Sequence, residues 1–348
     1  MDLNFEINSS WVPHKRANIT ISDLYKVNKD YRHYSALKDC GSALRFARGL
    51  DVDTGELSED CRLDRANFCR VRMCPMCNWR RSLVAFSNLS QMLQWVDIKK
   101  GKFKFVFLTL TVINVTAAEL PFTLDRMFNA WGKLTKLLKC CDENCRSCRV
   151  RNKSKCDHHR ANTWADCWSV VAGYFRSLEV TYNESANTYH PHIHALLLVP
   201  ENYAESGRYV THDEWLNAWR WAYDDPNILM VNVKMVKDLE NGGLSEVAKY
   251  VSKLDFLLNK GLDASKRASV LKVLDNALNG RRLSCVGGVL YEACRELKLM
   301  DPDEADLLHI GIDKPHWAVE MLYSFGWRFG NYELINLEVR YNEKSEDI

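Results

Sequence analysis

Alternating apolar and polar positions predict four strands in the middle of the chain. Residues 102–114 (KFKFVFLTLTVIN) are rich in β-branched and aromatic side chains. Residues 173–183 and 190–199 alternate in the same way and are joined by a short polar turn, which predicts a β-hairpin. Residues 228–236 (ILMVNVKMV) form the fourth predicted strand.

Apolar stripes at helical spacing predict three helices among these strands. The first carries Leu124, Trp131 and Leu138 on one face, and the second opens with a capping box from Thr211 to Glu214. Residues 244–258 form the third. The first six elements in this order match a split βαβ arrangement, which is an α+β fold with a central antiparallel sheet flanked by helices.

Both ends of the chain are harder to interpret from the pattern. Residues 1–35 are polar without clear periodicity, so we expect a loosely attached arm. Residues 262–348 are expected to be mostly helical, with a late strand over 333–341. We therefore divide the chain into an N-terminal region (1–100), a core (101–260) with an insertion at 140–167, and a mainly helical C-terminal region (261–348).

Composition narrows the function classes only slightly. The 348 residues carry a net charge of +2, so any affinity for nucleic acid must come from local basic patches. No apolar run approaches the roughly 20 residues of a membrane span, and the N-terminus lacks a secretion signal. We expect a cytoplasmic protein without a membrane partner. The 13 Cys are clustered, which favours thiolate metal sites over disulfides.

A metal site is predicted on the strand that follows the hairpin turn. His192 and His194 alternate with apolar residues, so both imidazoles leave the same face of the strand. Glu179 on the neighbouring strand is within cross-strand reach and can supply an oxygen ligand. Two imidazoles and a carboxylate with open positions suit Mg²⁺ or Mn²⁺. The alternative is an ordinary surface histidine pair; His190 is placed outside the ligand set.

A second set of reactive side chains lies on the helix over residues 244–258. Glu246, Tyr250 and Lys253 share one stripe beside the apolar face. A phenol with a pKa near ~10 is a poor nucleophile unless cations or a base assist it, and Lys253 is one available cation. Glu246 can hold a water for hydrolysis. Taken alone, the same pattern also fits an ordinary amphipathic helix.

The first cysteine group predicts a structural zinc site. Cys74 and Cys77 form a CPxC knuckle, which chelates from one tight turn. Cys69 is the third expected ligand, and the fourth is Cys40 or Cys61, with Cys40 favoured because a glycine follows it. Four arginines near the knuckle suit DNA phosphate contacts: Arg70, Arg72, Arg80 and Arg81.

The second cysteine group lies within the insertion at 140–167. Cys145, Cys148 and Cys156 are the expected ligands of a second structural Zn²⁺. Cys141, His158 and His159 compete for the fourth place, and we favour Cys141. The alternative is a flexible loop of free thiols.

Three motifs in order resemble those of plasmid rolling-circle replication initiators. FLTLT at 107–111, HPHIHALLLV at 190–199 and EVAKYVSK at 246–253 resemble the single-tyrosine branch of the HUH endonuclease superfamily. The resemblance spans roughly residues 36–300 and implies an HUH core with a central antiparallel, ferredoxin-like or RRM-like sheet. It implies His192 and His194 as metal ligands, with Glu179 as the third. It also implies Tyr250 as the nucleophile and Glu246 as the carboxylate that activates water.

The resemblance further implies a site-specific nicking and joining reaction. Tyr250 attacks a phosphate in a single-stranded hairpin loop of the plasmid double-strand origin, forming a 5′-phosphotyrosine link, and the enzyme also terminates the round. A host helicase and the replication machinery are the implied partners. The alternatives are an HUH transposase or relaxase, a non-enzymatic zinc-finger regulator, and, with least support, a zinc hydrolase.

Overall fold

The computed structural model is a mixed α+β structure with two antiparallel sheets. It describes residues 3–136, 167–205, 209–236, 254–310 and 317–342. The chain divides into two compact units, each built from segments that are discontinuous in sequence. Among the described residues, no helix combines the length and apolar character needed to cross a lipid bilayer.

The first unit comprises Met1–Ser87, Leu254–Asp275 and Met300–Ile348, and the second comprises Asn88–Lys253 and Asn276–Leu299. The helices are α1 (Leu3–Val27), α2 (Tyr31–Asp39), α3 (Pro75–Lys100), α4 (Leu120–Lys136), α5 (His212–Tyr223), α6 (Asp255–Leu258), α7 (Ala264–Leu278) and α8 (Val289–Glu296). The strands are β1 (Ala43–Gly49), β2 (Arg62–Ala66), β3 (Phe103–Thr111), β4 (Gly173–Asn183), β5 (Thr188–Pro200), β6 (Val231–Val236), β7 (Ser284–Gly288), β8 (Val319–Arg328) and β9 (Asn331–Tyr341).

The second unit contains a five-stranded sheet in the order β6-β3-β5-β4-β7. All four predicted strands are confirmed, and β4 and β5 form the predicted hairpin. Along β3, Val106, Leu108 and Leu110 are buried, whereas Phe107 and Thr109 on the opposite face are only partly covered. One face of the sheet is therefore packed into the core, and the other is less covered.

Helices α4 and α5 contribute the apolar side chains of this core. Trp131 of α4 and Trp219 of α5 are buried, and the Trp219 indole donates a hydrogen bond to the carbonyl of Thr111 at 2.7 Å. The predicted capping box is confirmed, since Thr211 and Glu214 bond each other's backbone N–H groups at the start of α5. The assignment of this unit to the HUH core and to a split βαβ arrangement stays a prediction.

The four-stranded sheet of the first unit has the order β2-β1-β8-β9 and corrects one expectation. The late strand over 333–341 is confirmed as part of β9, but the prediction of a mainly helical 261–348 region is wrong. That region contains β7, β8 and β9 as well as two longer helices. The strand β8 forms a hairpin with β9, and its other neighbour is β1, which lies far away in sequence. The three-region division itself stays a prediction.

The predicted N-terminal arm is also wrong, because residues 3–27 form the long helix α1. Trp11, Lys15, Asn18 and Ser22 recur at helical spacing and are all buried. Apolar side chains of α1 are buried as well, among them Ile7 and Ile21. The polar residues interrupt this apolar stripe in the middle of the helix, so its helical period is weak in the sequence.

A network of charged side chains crosses the four-stranded sheet. The Glu320 side chain is 0% exposed and accepts from Arg62 at 2.5 Å and from Arg340 Nε at 2.9 Å. Burial alone would raise the pKa of Glu320, but hydrogen bonds from Arg62 and Arg340 outweigh it and lower the pKa. The charged carboxylate therefore stabilises the folded state.

Replacing this carboxylate by the neutral amide, Glu320→Gln, is expected to lower the free energy of unfolding by about 3 kcal/mol at pH 7. Because the pKa of Glu320 is lower in the folded protein than in the unfolded chain, its ionised carboxylate stabilises the folded state at pH values above the unfolded-state pKa of about 4.3. This stabilisation is lost as the pH falls through the folded-state pKa. The difference from wild type should therefore shrink below about pH 4 in urea titrations. Exposed Glu338→Gln is the control. A difference that stays constant down to pH 3 would contradict the assignment.

Candidate functional site

Strands β4 and β5 bring Glu179, His192 and His194 together on the less covered face of the five-stranded sheet. Glu179 is the direct cross-strand partner of His192, and His194 lies two residues further along the same face of β5. On the other side of β5, Thr109 of β3 is the partner of His194. The predicted ligand set is thus assembled by the register of two adjacent strands, with Thr109 on a third strand beside it.

The two imidazoles converge on one carboxylate oxygen. The Nε2 atoms of His192 and His194 lie 2.6 Å and 2.9 Å from Oε2 of Glu179. The three side chains are only 11%, 14% and 13% exposed, respectively. One ligand atom from each residue lies within 4.8 Å of the others. This spacing allows a single cation to bind all three.

Hydrogen bonds on the outer side of each imidazole set its orientation. Nδ1 of His192 lies 3.2 Å from the carbonyl of His190, and Nδ1 of His194 lies 3.2 Å from the hydroxyl of Thr109. A carbonyl only accepts, so Nδ1 of His192 is the donor in this contact. In a ring that is protonated on Nδ1 alone, Nε2 has a lone pair for a metal, whereas a hydrogen bond from Nε2 to Glu179 requires the ring protonated on both nitrogens. The Thr109 hydroxyl can accept from Nδ1 of His194 in the same way. Both Nε2 atoms are then oriented as metal ligands.

The electrostatics favour an ionised carboxylate at this position. Burial alone would raise the pKa of Glu179, but the hydrogen bonds from His192 and His194 outweigh it and lower the pKa well below its usual range. Burial lowers the pKa of His190. A carboxylate and two imidazole nitrogens form a mixed oxygen and nitrogen donor set, which can hold a divalent cation.

A second cluster brings together the four cysteines predicted around the knuckle. Cys40, Cys69, Cys74 and Cys77 have their Sγ atoms within 4.8 Å of one another. The separations are 3.6 Å for Cys40–Cys77 and for Cys40–Cys74, and 3.8 Å for Cys69–Cys77. A tetrahedral Zn²⁺ with Zn–S bonds of 2.3 Å requires about 3.8 Å between sulfurs. The exposed Cys61 lies outside this cluster, so the structure brings Cys40 rather than Cys61 to the knuckle.

The local backbone points N–H groups at these sulfurs. Gly41 and Arg70, which follow Cys40 and Cys69, have φ angles of +64° and +59°, and such turns favour glycine. The N–H of Cys69 lies 3.4 Å from Sγ of Cys40, and the N–H of Arg70 lies 3.2 Å from Sγ of Cys77. Hydrogen bonds within the cluster lower the pKa of Cys77, whereas burial raises the pKa of Cys74. Such N–H donors stabilise thiolates.

Two polar residues of α1 that sequence reasoning missed lie against this cluster. The ammonium of Lys15 donates to the carbonyls of Lys38 and Cys40 at 2.7 Å each, and Asn18 accepts from the Cys74 thiol at 3.2 Å. Burial lowers the pKa of Lys15, while Cys40 and Cys74 act in the opposite direction. The only sequence signal was their helical spacing from Trp11.

The four arginines predicted to contact DNA bind groups of the protein itself. Arg80 and Arg81 are buried, and Arg80 donates to the carbonyls of Leu307 and Leu308 at 2.8 Å and 3.0 Å. Arg72 forms a bidentate ion pair with Asp303, and Arg70 donates to the carbonyls of Asp303 and Ala305. Phosphate contact by these residues stays a prediction; Arg70 is exposed, whereas the buried Arg80 and Arg81 are directed at the protein.

The remaining predicted site residues lie outside the described residues. These are the predicted catalytic residues and the second cysteine group: Glu246, Tyr250, Lys253, Cys141, Cys145, Cys148, Cys156, His158 and His159. Their roles therefore rest on sequence alone. Thr109 is the further residue at the triad that sequence reasoning did not identify, although it lies within the FLTLT motif.

The chain is similar to replication proteins along most of its length. The replication protein family matches residues 60–161 and 143–333. A protein named "Protein rep" from Lactiplantibacillus plantarum is 30% identical over 311 residues, covering 86% of each chain. "Protein rep" from Streptococcus pneumoniae serotype 2 is 30% identical over 87% of this chain and 84% of its own.

A further relative, "Protein rep" from Bacillus amyloliquefaciens, is 31% identical over 79% of this chain and 76% of its own. No solved structure matches the chain. Both the family match and the three relatives extend across the segments that carry the histidine triad. On these grounds, the chain belongs to the replication protein family.

Proposed function

We propose that the chain is a plasmid replication initiator that nicks and rejoins DNA at a specific site through a tyrosine intermediate. The observation that carries this proposal is the convergence of Glu179, His192 and His194 on one point of the sheet. Membership in the replication protein family explains why such a site would act on origin DNA. It also favours replication over the transposase and relaxase alternatives.

The triad would hold Mg²⁺ or Mn²⁺, which when bound neutralises charge on a non-bridging oxygen of the scissile phosphate. Thr109 and the carbonyl of His190 keep both imidazoles oriented toward that position. The partial burial of the three side chains lowers the local dielectric and strengthens their interaction with a cation.

The covalent step assigns one role to each remaining residue. The oxygen of Tyr250 loses its proton and forms a bond to the phosphorus, and the bond from phosphorus to the 3′-oxygen breaks. The 3′-oxygen takes up a proton, which leaves a 3′-OH primer and a 5′-phosphotyrosine. Lys253 lowers the free energy needed to form the Tyr250 phenolate. Glu246 activates the water that ends the round of replication.

The zinc clusters would support recognition of the double-strand origin. The Cys40, Cys69, Cys74 and Cys77 cluster would hold one structural Zn²⁺, and Cys141, Cys145, Cys148 and Cys156 a second. The substrate is the single-stranded hairpin loop of the origin. A host helicase would then unwind the duplex further from the nick. The protein would work in the cytoplasm, where plasmids replicate.

The test is incubation of the purified protein with supercoiled plasmid that carries its own locus, in Mn²⁺ and in EDTA. We expect a nick at one position in Mn²⁺, with protein bound to the 5′ end, and none in EDTA. Plasmid without the locus is the control. Specific binding with tightly held zinc, but no nicking in any divalent metal, would support the zinc-finger regulator instead.

Removing the hydroxyl that orients His194, in Thr109→Val, is expected to weaken Mn²⁺ binding about 10-fold, because loss of an outer hydrogen bond to a ligand typically costs 10–100-fold in affinity. Calorimetric titration with Mn²⁺ measures this directly. Thr135→Val is the matched control, since the Thr135 hydroxyl bonds the Trp131 carbonyl within α4 at 3.0 Å. Equal affinities for Thr109→Val and wild type would remove Thr109 from the site.

The choice of fourth zinc ligand is tested by Cys40→Ser against Cys61→Ser. We expect Cys40→Ser to lose one zinc per chain and several kcal/mol of folding free energy, because a structural zinc contributes its binding energy to folding. Cys61→Ser should retain wild-type zinc. Zinc content by atomic absorption and thermal unfolding give both results. Full zinc in Cys40→Ser would exclude Cys40 as a ligand.

A further inference from the structure

Lys15 is a buried cation in a part of the chain where sequence predicted only a polar arm. It is 0% exposed, and its ammonium donates to the carbonyls of Lys38 and Cys40 at 2.7 Å each. Lysine is almost never fully buried unless it is paired, because an isolated ammonium loses its hydration. A negative group is therefore expected nearby.

The negative groups around Lys15 are sulfurs more than carboxylates. Among the residues that the structure describes, no carboxylate oxygen lies within the 4 Å of an ion pair with its ammonium. The clustered sulfurs lie on the same side of α1, since Asn18, one turn after Lys15, accepts from the Cys74 thiol at 3.2 Å. One of the two carbonyls that Lys15 binds belongs to Cys40, which is one of the four clustered cysteines.

A zinc ion in this cluster would leave an excess of negative charge inside the protein. Four thiolates around one Zn²⁺ carry a net charge of about −2. Cys40, Cys74 and Cys77 are buried, so water screens this charge poorly. Backbone N–H groups of Cys69 and Arg70 offset part of it through partial charges. Full positive charge is available from the buried Lys15.

We propose that Lys15 is the charge-compensating residue of a zinc tetrathiolate centre, and that α1 is thereby an integral part of that centre. This inference rests on the proposed zinc site of Cys40, Cys69, Cys74 and Cys77. The ligand class is a divalent, thiophilic cation. Lys15 is a positioning residue: it contacts the ligand-bearing backbone and stabilises the bound metal through charge.

A competing role for Lys15 is to cap α2, since the two carbonyls it binds lie at the C-terminal end of that helix. The two roles differ in their response to metal. Loss of a cap destabilises the zinc-loaded and zinc-free proteins equally. Loss of charge compensation weakens zinc binding itself, so the loaded protein is destabilised more.

The test uses the full chain with Lys15→Met, Lys15→Gln and the exposed control Lys38→Met. Gln can still donate to the carbonyls but has no charge, so it isolates the electrostatic role and serves if the Met variant fails to fold. Competition with a zinc chelator measures affinity, and Cys40→Ser identifies the zinc that belongs to this cluster. Melting temperatures are compared with and without zinc.

We expect both Lys15 variants to bind this zinc about 10- to 100-fold more weakly than wild type, with Lys38→Met within twofold. The zinc-dependent gain in melting temperature should shrink in both Lys15 variants. Wild-type zinc affinity in Lys15→Gln would overturn the proposal, as would equal destabilisation of Lys15→Met with and without zinc. Wild-type protein without zinc at this cluster would instead overturn the zinc site itself.

Discussion

Replacing either imidazole of the triad, in His192→Ala or His194→Ala, is expected to slow origin nicking by about 10³-fold at saturating Mn²⁺. Loss of one electrostatic stabiliser of a transition state lowers the rate by about 10²- to 10³-fold, and the metal is also bound less tightly. The convergence of both Nε2 atoms on Glu179 makes the two histidines equivalent in this respect. Plasmid nicking over time, at several Mn²⁺ concentrations, measures the loss.

Two controls make this result specific. His212→Ala removes an exposed histidine of the same unit, which contacts the carboxylate of Asp213 and the carbonyl of Val231 in β6. It should nick at the wild-type rate. Binding of intact origin DNA should also change little in the triad variants, since the triad is proposed to act on the scissile phosphate. Nicking at more than a tenth of the wild-type rate in His192→Ala would be incompatible with a metal-holding triad.

Tyr250→Phe is expected to form no covalent adduct with DNA and to nick at least about 10⁴-fold more slowly than wild type. The reason is that the other catalytic groups cannot act without the nucleophile. Phenylalanine differs from tyrosine only in lacking the attacking oxygen. Gel analysis of labelled origin DNA separates the protein–DNA adduct from free nicked strands.

Glu246→Ala provides the internal control, because it keeps the tyrosine and is proposed to affect only the end of the round. It should form the adduct at a normal rate and accumulate it. The exposed Tyr209 serves as a second control in Tyr209→Phe. An adduct formed normally by Tyr250→Phe would assign the nucleophile to another residue.

Sequence reasoning succeeded where local pattern and chemistry coincide. The strands β3, β4, β5 and β6 alternate clearly, and the β4–β5 hairpin fixes the register that pairs Glu179 with His192. Alternation alone then places His194 on the same face. The choice of Cys40 over Cys61 also followed from local chemistry, because the positive φ of Gly41 allows the tight turn beside the knuckle.

The failures lie where long-range partners decide the structure. The strand β8 has β1, far away in sequence, as one of its two neighbours, and the apolar stripe of α1 is interrupted by the buried Lys15, Asn18 and Ser22. The protein partners of two basic residues were also missed: Arg72 pairs with Asp303, and Arg80 donates to the Leu307 carbonyl. Neither partner can be inferred from a basic segment read in isolation.

We propose that one tyrosine, whose attack on DNA depends on a bound metal, carries the covalent chemistry of this replication protein. The most direct test is to trap the adduct formed with origin DNA in Mn²⁺, digest it with nuclease and protease, and identify the modified peptide by mass spectrometry. We predict a nucleotide linked through its 5′-phosphate to Tyr250, and no adduct in EDTA or with His194→Ala. A 5′-phosphate on any other residue, or an adduct that forms equally well in EDTA, would contradict the account.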